Sequence, residues 1–391
     1  MSFRQIISKH RKLWQKFAAN WFYFKTSQAR RLIKIFKGLW FLILWPLEIS
    51  GDLLFAPRAK AKSLKLPPNP KILIIKIDQL GDVLFSTWLL PALKRQWPQS
   101  QIDYLINPKS AAVLQNNPNI QKLNFWSNWL LANIPGRQKI SLKTRWQKFK
   151  QNRAANKLTK KELKAAKYDL IINGRGFWPS SNFLGRSLGG GLVSFDISQF
   201  SFLANIIVPY DLKAWEEINY KNLLEKIGVA PEIIKNLDAR GQFYNFPPRA
   251  GQTPATHPDQ APESIWILSP VSYDPEKTWS PKIWQKFIEI WLKQNPGPRL
   301  VISGLKEQLD WLEQIKKGFL QKPWLLSRLN FLTDLNIGQL AELIKNSQGF
   351  IGLESFPAHL AIAFKKPTYC LVNSRLFYVP NLSRQKLVDG R

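Results

Sequence analysis

At 391 residues the chain is long enough for two domains, each with a core of its own. A formal net charge of +31 sets it apart from an ordinary enzyme and calls for an anionic partner, either nucleic acid or an acidic membrane surface. The single cysteine, Cys370, excludes an intramolecular disulfide and fits a reducing compartment, while three histidines, His10, His257 and His359, exclude a histidine-rich metal site.

The first 37 residues carry ten Lys or Arg and no acid, interleaved with Trp14, Phe17, Trp21, Phe22, Tyr23 and Phe24. Rings among cations suit a membrane interface, where aromatics lie at headgroup depth and ammonium groups reach lipid phosphates. The uncharged run that follows, 38–47, is half the length of a spanning helix, and extending it to Phe55 would bury Glu48 and Asp52. Residues 1–66 are therefore expected to form an in-plane or re-entrant anchor. A true span, or a helical face packed on the protein itself, are the alternatives. A cleaved signal peptide is disfavoured by its overlong charged region.

After the linker at 65–70, Ile72–Ile77 is a nearly continuous β-branched run, as expected of a strand buried on both faces of a parallel sheet. Gly81 supplies a turn, and Val83, Leu84, Trp88, Leu89, Ala92 and Leu93 recur at helical spacing up to Arg95. Asp82 stands at this strand-to-helix junction, where open α/β sheets bind ligands. It reads either as a helix cap or as a carboxylate base at a cleft, with Asp78 the weaker candidate for the same task.

A second strand is expected at 102–106. A second basic block, 137–167, holds twelve Lys or Arg against Glu162. It is either a solvated helix face or, with Lys143, Arg145, Lys148, Lys150 and Arg153, part of a membrane- or acceptor-facing surface. A strand at 168–173 is followed by a glycine-containing stretch, 180–191, expected to be a mobile loop, which lacks a P-loop lysine. A helix is expected over 214–227, closed by Gly228. Residues 246–263, rich in Pro, Ala, Gln and Thr, mark a linker.

The second half repeats the alternation, with strands at 264–268, 299–303, 349–352 and a last one at 368–372, and helices near 281–294, 306–317 and from 355. Two doubly wound α/β domains facing a cleft are the expected architecture, over 67–245 and 264–391. Three stretches would meet at the strand ends of the second domain: the 269–277 turn with Ser272, Tyr273 and Lys277; Gly304 with Glu307; and Glu354, Ser355 and His359 at a helix start. A helix N-terminus suits a diphosphate. Taken singly, Lys277 is also readable as a surface lysine and His359 as a packed or capping residue.

Taken together, the Gly81-Asp82 turn, PAL at 91–93, K-x-W at 277–279, strand–Gly–Glu at 301–307 and E-S-x-x-x-H at 354–359 resemble glycosyltransferase family 9, which includes the lipopolysaccharide heptosyltransferases. The resemblance covers about 71–375, in the family's order. It implies a GT-B fold with the acceptor bound by the first domain and the nucleotide-sugar by the second. It also implies Asp82 as catalytic base, Lys277, Ser355 and His359 at the donor diphosphate, Glu307 and Glu354 near the nucleoside, and Ser272 and Tyr273 as a donor loop. No metal or resident cofactor is implied. ADP-heptose is the family's default co-substrate, a glycolipid the acceptor, and the cytoplasmic face of the bacterial inner membrane the location. The chain departs from the family at Phe356, where a glycine is usual, which admits a relative that has lost catalysis and serves as an assembly partner. A nucleic-acid-binding protein would match the charge, but no helix-turn-helix, zinc-finger or RRM signature is present.

Overall fold

The computed structural model describes residues 7, 9–11, 46–54, 64–127, 142–174, 179–212, 214–238, 240–244, 264–272, 277–372 and 387–389. The expected linker at 246–263, Tyr273 and most of 1–66 lie outside the described residues.

Two all-parallel six-stranded sheets organise the chain. The first comprises β1 (Lys71–Lys76), β2 (Gln101–Ile106), β3 (Lys122–Phe125), β4 (Leu170–Asn173), β5 (Gly191–Phe195) and β6 (Ile206–Val208), in the order β3-β2-β1-β4-β5-β6. The second comprises β7 (Ile265–Ser269), β8 (Arg299–Ser303), β9 (Leu329–Leu332), β10 (Gly349–Leu353), β11 (Thr368–Val372) and β12 (Leu387–Asp389), in the order β9-β8-β7-β10-β11-β12. Both sheets thus share one doubly wound order, and each reverses direction once, between β1 and β4 and between β7 and β10. Those reversal points open crevices at the carboxyl ends of the strands. The α/β, GT-B-type expectation holds.

The central strands are buried on both faces, as their apolar runs require: Ile72 to Ile75 are wholly inaccessible. The short edge strands were not legible as strands: β3 and β9 are partly exposed and carry no comparable run, and β6, though apolar, is three residues long. Nor is Thr368–Val372 the last strand, since β12 pairs beside it.

The expected single helix after β1 is two helices, α1 (Leu80–Ser86) and α2 (Leu89–Gln96). Pro91 has no N–H to donate to the carbonyl of Thr87, which instead accepts from Leu90 at 3.1 Å in a tighter turn. Gln79 is the N-cap, so Asp82 lies in the first turn and is not the cap.

The basic block is a 25-residue helix, α3 (Leu142–Ala166), attached near its C-terminal end through Leu163 and exposed along much of its length. The 180–191 stretch is not a loop: α4 (Pro179–Leu188) runs through it to β5. Its glycines serve packing. Gly189 ends the helix at φ +93°, and a Cβ on Gly190 would stand 2.3 Å from the backbone oxygen of Tyr168. Of the expected helix at 214–227, α5 (Glu216–Lys226) is formed. The second domain adds α6 (Pro281–Gln294), α7 (Leu309–Lys317), α8 (Ile337–Asn346) and α9 (Phe356–Ala363).

α9, sequence FPAHLAIA, has no polar face except His359, and Ala358 to Ile362 are buried. A helix apolar all round belongs between layers. α9 packs against α1 of the first domain and α8 of its own, and one apolar cluster joins Val83 and Leu84 to Ala358 and Leu360. The two halves therefore meet directly at this helix pair.

Among the described residues of the amino-terminal extension, 9–11 and 46–54 are helical and pack on the first domain. Glu48 and Asp52 are buried, but within the protein. Lys9 reaches them at 2.6 Å each, so the two acids that argued against a longer apolar run are paired inside the protein, as the alternative of a helical face packed on the protein itself expects. No helix among the described residues is long and apolar enough to cross a membrane.

Candidate active site between two strand crossings

The first reversal point contributes a cation as well as carboxylates. Lys76, the last residue of β1, is buried; its Nζ donates to the Gly174 oxygen after β4 at 2.8 Å and pairs with Asp78 at 3.2 Å. Tyr220 of α5 lies beneath it, its ring centroid 5.9 Å from Nζ, and its hydroxyl donates to the same Gly174 oxygen at 2.9 Å. Burial alone would lower the pKa of Lys76, but Tyr220 and the carboxylates of Asp78, Asp82 and Glu216 raise it well above the ordinary lysine value. Lys76 was missed in the sequence. The available signal was a charged residue closing a strand whose other positions are buried on both faces.

Asp82 is partly buried beside this cation. Burial, together with Asp78 and Glu354, raises its pKa above the usual carboxylate value, while Lys76 and His359 oppose that rise. A carboxylate moved toward neutrality in this way is better matched to accepting a proton than an ordinary aspartate.

The second reversal point contributes the opposing groups. Lys277, after β7, forms an ion pair with Glu354, which follows β10. The other Glu354 oxygen lies 3.5 Å from Nε2 of the buried His359. Burial works against the charge of Glu354, but the hydrogen bond from His359 and the Lys277 ammonium outweigh it and hold its pKa down at about 2. Glu354 is thus the shared partner of Lys277 and His359, two of the three residues expected at the diphosphate.

Ser355 is the N-cap of α9, and its hydroxyl donates to the Leu353 oxygen at 3.1 Å. The helix end offers fewer donors than its position suggests. Pro357 has no N–H, and the N–H groups of Ala358 and His359 donate to the Ser355 carbonyl at 3.0 and 3.3 Å. Phe356, where the family usually has glycine, is half-buried and packs against the core shared by both domains.

The two points meet through Gly81, whose missing side chain leaves room for the His359 ring. Asp82, His359, Glu354 and Lys277 thus form one chain of interacting groups drawn from both domains. Other predicted residues stand further out. Glu307 is exposed on the turn after β8, and the Ser272 N–H donates to the Thr278 hydroxyl at 3.3 Å. Lys148, Lys150 and Arg153 are exposed on α3, outside this chain of contacts. Among the described residues, no group of three or more His, Cys, Asp or Glu is placed to hold a metal ion.

The first domain thus presents a carboxylate, and the second an imidazole and an ammonium, where the two domains meet. The profile of glycosyltransferase family 9 (heptosyltransferase) matches residues 157–373, more than half of the chain. The chain belongs to glycosyltransferase family 9. It is therefore a glycosyltransferase, and its relatives agree. It is 24% identical over 315 residues to "Lipopolysaccharide heptosyltransferase 3" of Escherichia coli, covering 77% of this chain and 83% of that one. A family 9 glycosyl transferase from Veillonella parvula superposes with a TM-score of 0.59 at 19% identity, covering 79% of this chain and 82% of that one. The E. coli ADP-heptose heptosyltransferase II does so with a TM-score of 0.58 at 16% identity, covering 81% and 90%. At these identities the two structures speak for the fold.

Proposed function

We propose that this family 9 transferase moves a sugar, heptose or a related one, from a nucleoside diphosphate donor to a hydroxyl of a lipopolysaccharide-like glycolipid, with inversion at the anomeric carbon. The observation that carries the reading is the approach of Asp82, from the first domain, to His359, from the second. The acceptor hydroxyl enters beside Asp82, which takes its proton as the oxygen attacks the anomeric carbon from the face opposite the leaving group. The departing diphosphate takes its negative charge toward Lys277 and His359. Glu354 pairs with Lys277 and lies beside His359 while the donor is absent, and gives up part of these contacts when a diphosphate arrives. Lys76 favours the ionised form of Asp82 against burial, and that form is the one that accepts a proton.

The ADP and ADP-2-deoxy-2-fluoro heptose in the E. coli heptosyltransferase WaaC structures support an adenosine diphosphate donor here, with Glu307 and the Ser272 loop at the nucleoside. The basic extension and α3 support a location on the cytoplasmic face of the inner membrane, where such an acceptor would be met.

The test is a thermal-shift screen of the purified chain against nucleoside diphosphates and their sugars, with Lys277→Ala and His359→Ala alongside. A ligand at a hundred times its dissociation constant adds about 2.7 kcal/mol of stability. Stabilisation by one nucleotide that both variants lose is the expected result. If no nucleotide stabilises the wild type, the donor site is not where this reading puts it.

A further inference from the structure

The helix at 46–54 is buried the wrong way round for a helix in water. Its polar face is inside, with Glu48 3% and Asp52 0% exposed, while Leu47, Leu53 and Leu54 are 56%, 48% and 64% exposed. Ile49 is exposed as well, and so is Ile7 on the facing helical segment. The inner face is tightly held. Lys9 sits between the two carboxylates, His10 Nε2 lies 3.0 Å from Asp52, and the second oxygen of Glu48 accepts the Phe200 N–H. Gly51 lies flat on the ring of Phe202.

The first domain carries an exposed ring close to where the inner face is held. Phe200 lies 4.7 Å, centroid to centroid, from Phe183 of α4, which is itself exposed. α4 in turn packs against α3. That helix carries nine Lys or Arg against Glu162, with Trp146 exposed, stacked on Phe149 and covered by Lys150 at 5.6 Å from its ring centroid.

We propose that the outer face of 46–54, together with Phe183 and flanked by α3, seats this protein on an anionic lipid bilayer at headgroup depth. An inverted helix pairs its charges inside and turns its large aliphatic side chains outward, which costs free energy in water and suits the headgroup–acyl boundary. Charge decides the occupant. A second copy would bring another +31 to an already basic face, whereas anionic lipid phosphates complement α3. The inference rests on the membrane placement proposed above and deepens it: the surface belongs to the domain that carries Asp82, so docking would bring a lipid-borne acceptor to the base's own domain.

The experiment is flotation of the full chain with phosphatidylglycerol–phosphatidylcholine vesicles and with pure phosphatidylcholine vesicles. The variants are Leu47→Asn/Leu53→Asn/Leu54→Asn and Lys148→Glu/Lys150→Glu/Arg153→Glu. All six substitutions are at exposed positions, and an unchanged melting temperature checks that each variant folds. The expected result is at least tenfold weaker binding to anionic vesicles for both variants, with loss of salt sensitivity in the second, while the thermal shift given by ADP is unchanged. Equal flotation of wild type and Asn variant overturns the proposal, because binding then comes from elsewhere in the chain. So does a wild type that doubles its mass in light scattering and an Asn variant that does not, because a second copy then covers the face. Loss of the ADP shift in the wild type with flotation intact would instead sink the donor reading and leave the seat standing.

Discussion

Gly81 lies so close to His359 that a Cβ added to it would stand 2.7 Å from the imidazole Cδ2 and 3.1 Å from Nε2. This contact joins the start of α1 in one domain to the first turn of α9 in the other. Gly81→Ala is therefore expected to push the His359 ring or part the two helices, at a cost of about 1–3 kcal/mol, and to lower turnover. His359→Ala, which makes room, should absorb most of the added stability cost in a double-mutant cycle. Additive losses would show that the two residues do not press on one another.

Asp82→Asn removes the proton acceptor while keeping the side chain's size. Turnover should fall by about 10²–10⁴-fold with nucleotide binding retained, measured by sugar transfer and by thermal shift on the same preparation. Retained transfer would eliminate Asp82 as the base.

The pH dependence of kcat/KM tests the surroundings of Asp82. Its pKa is raised by burial, so the acid limb of the profile should lie above the ordinary carboxylate value of 3.8. Lys76 favours the ionised form, so Lys76→Met should move that limb further up and depress the rate most on the acid side. An unmoved limb would remove Lys76 from the site's electrostatics.

Glu354 has its pKa held at about 2, below the reference value of 4.5, by His359 and Lys277. Its contribution, on the order of 3 kcal/mol, is present above the unfolded value and lost as pH falls from about 4.5 toward 2. The melting-temperature gap between wild type and Glu354→Gln should accordingly be widest near neutral pH and close over that acid range. A gap independent of pH would mean that the ion pair is not what the substitution removes.

Lys9→Met strands two buried carboxylates. A buried pair that loses one partner costs about 3–5 kcal/mol, and here the cost should appear as local opening of 46–54, seen as faster limited proteolysis there. Adding Glu48→Gln and Asp52→Asn should restore much of the resistance. An unchanged cleavage rate in Lys9→Met would show that the cluster does not hold the extension.

Much was decided by the sequence itself, because it rests on local pattern. The β-branched run before Gly81, the alternation of strand and helix in both halves, and the spaced residues Asp82, Lys277, Glu354 and His359 are features of short segments. They suffice for the fold class and the family. The charge of the chain likewise pointed to an anionic partner without any structure.

Only the tertiary structure decided what those residues do to one another. Lys76 looked like the end of a strand until β4 and α5 closed over it, and Glu354 became a counter-ion because β7 and β10 are neighbours. The break at Pro91 depends on one missing N–H, and the glycines of 180–191 on a close approach between α4, β5 and Tyr168, which a composition reading mistook for a loop. Glu48 and Asp52 show the reason most plainly. Counted along the chain they are two acids in an apolar stretch, and whether that stretch faces lipid or protein depends on Lys9, some forty residues away, which only folding places between them.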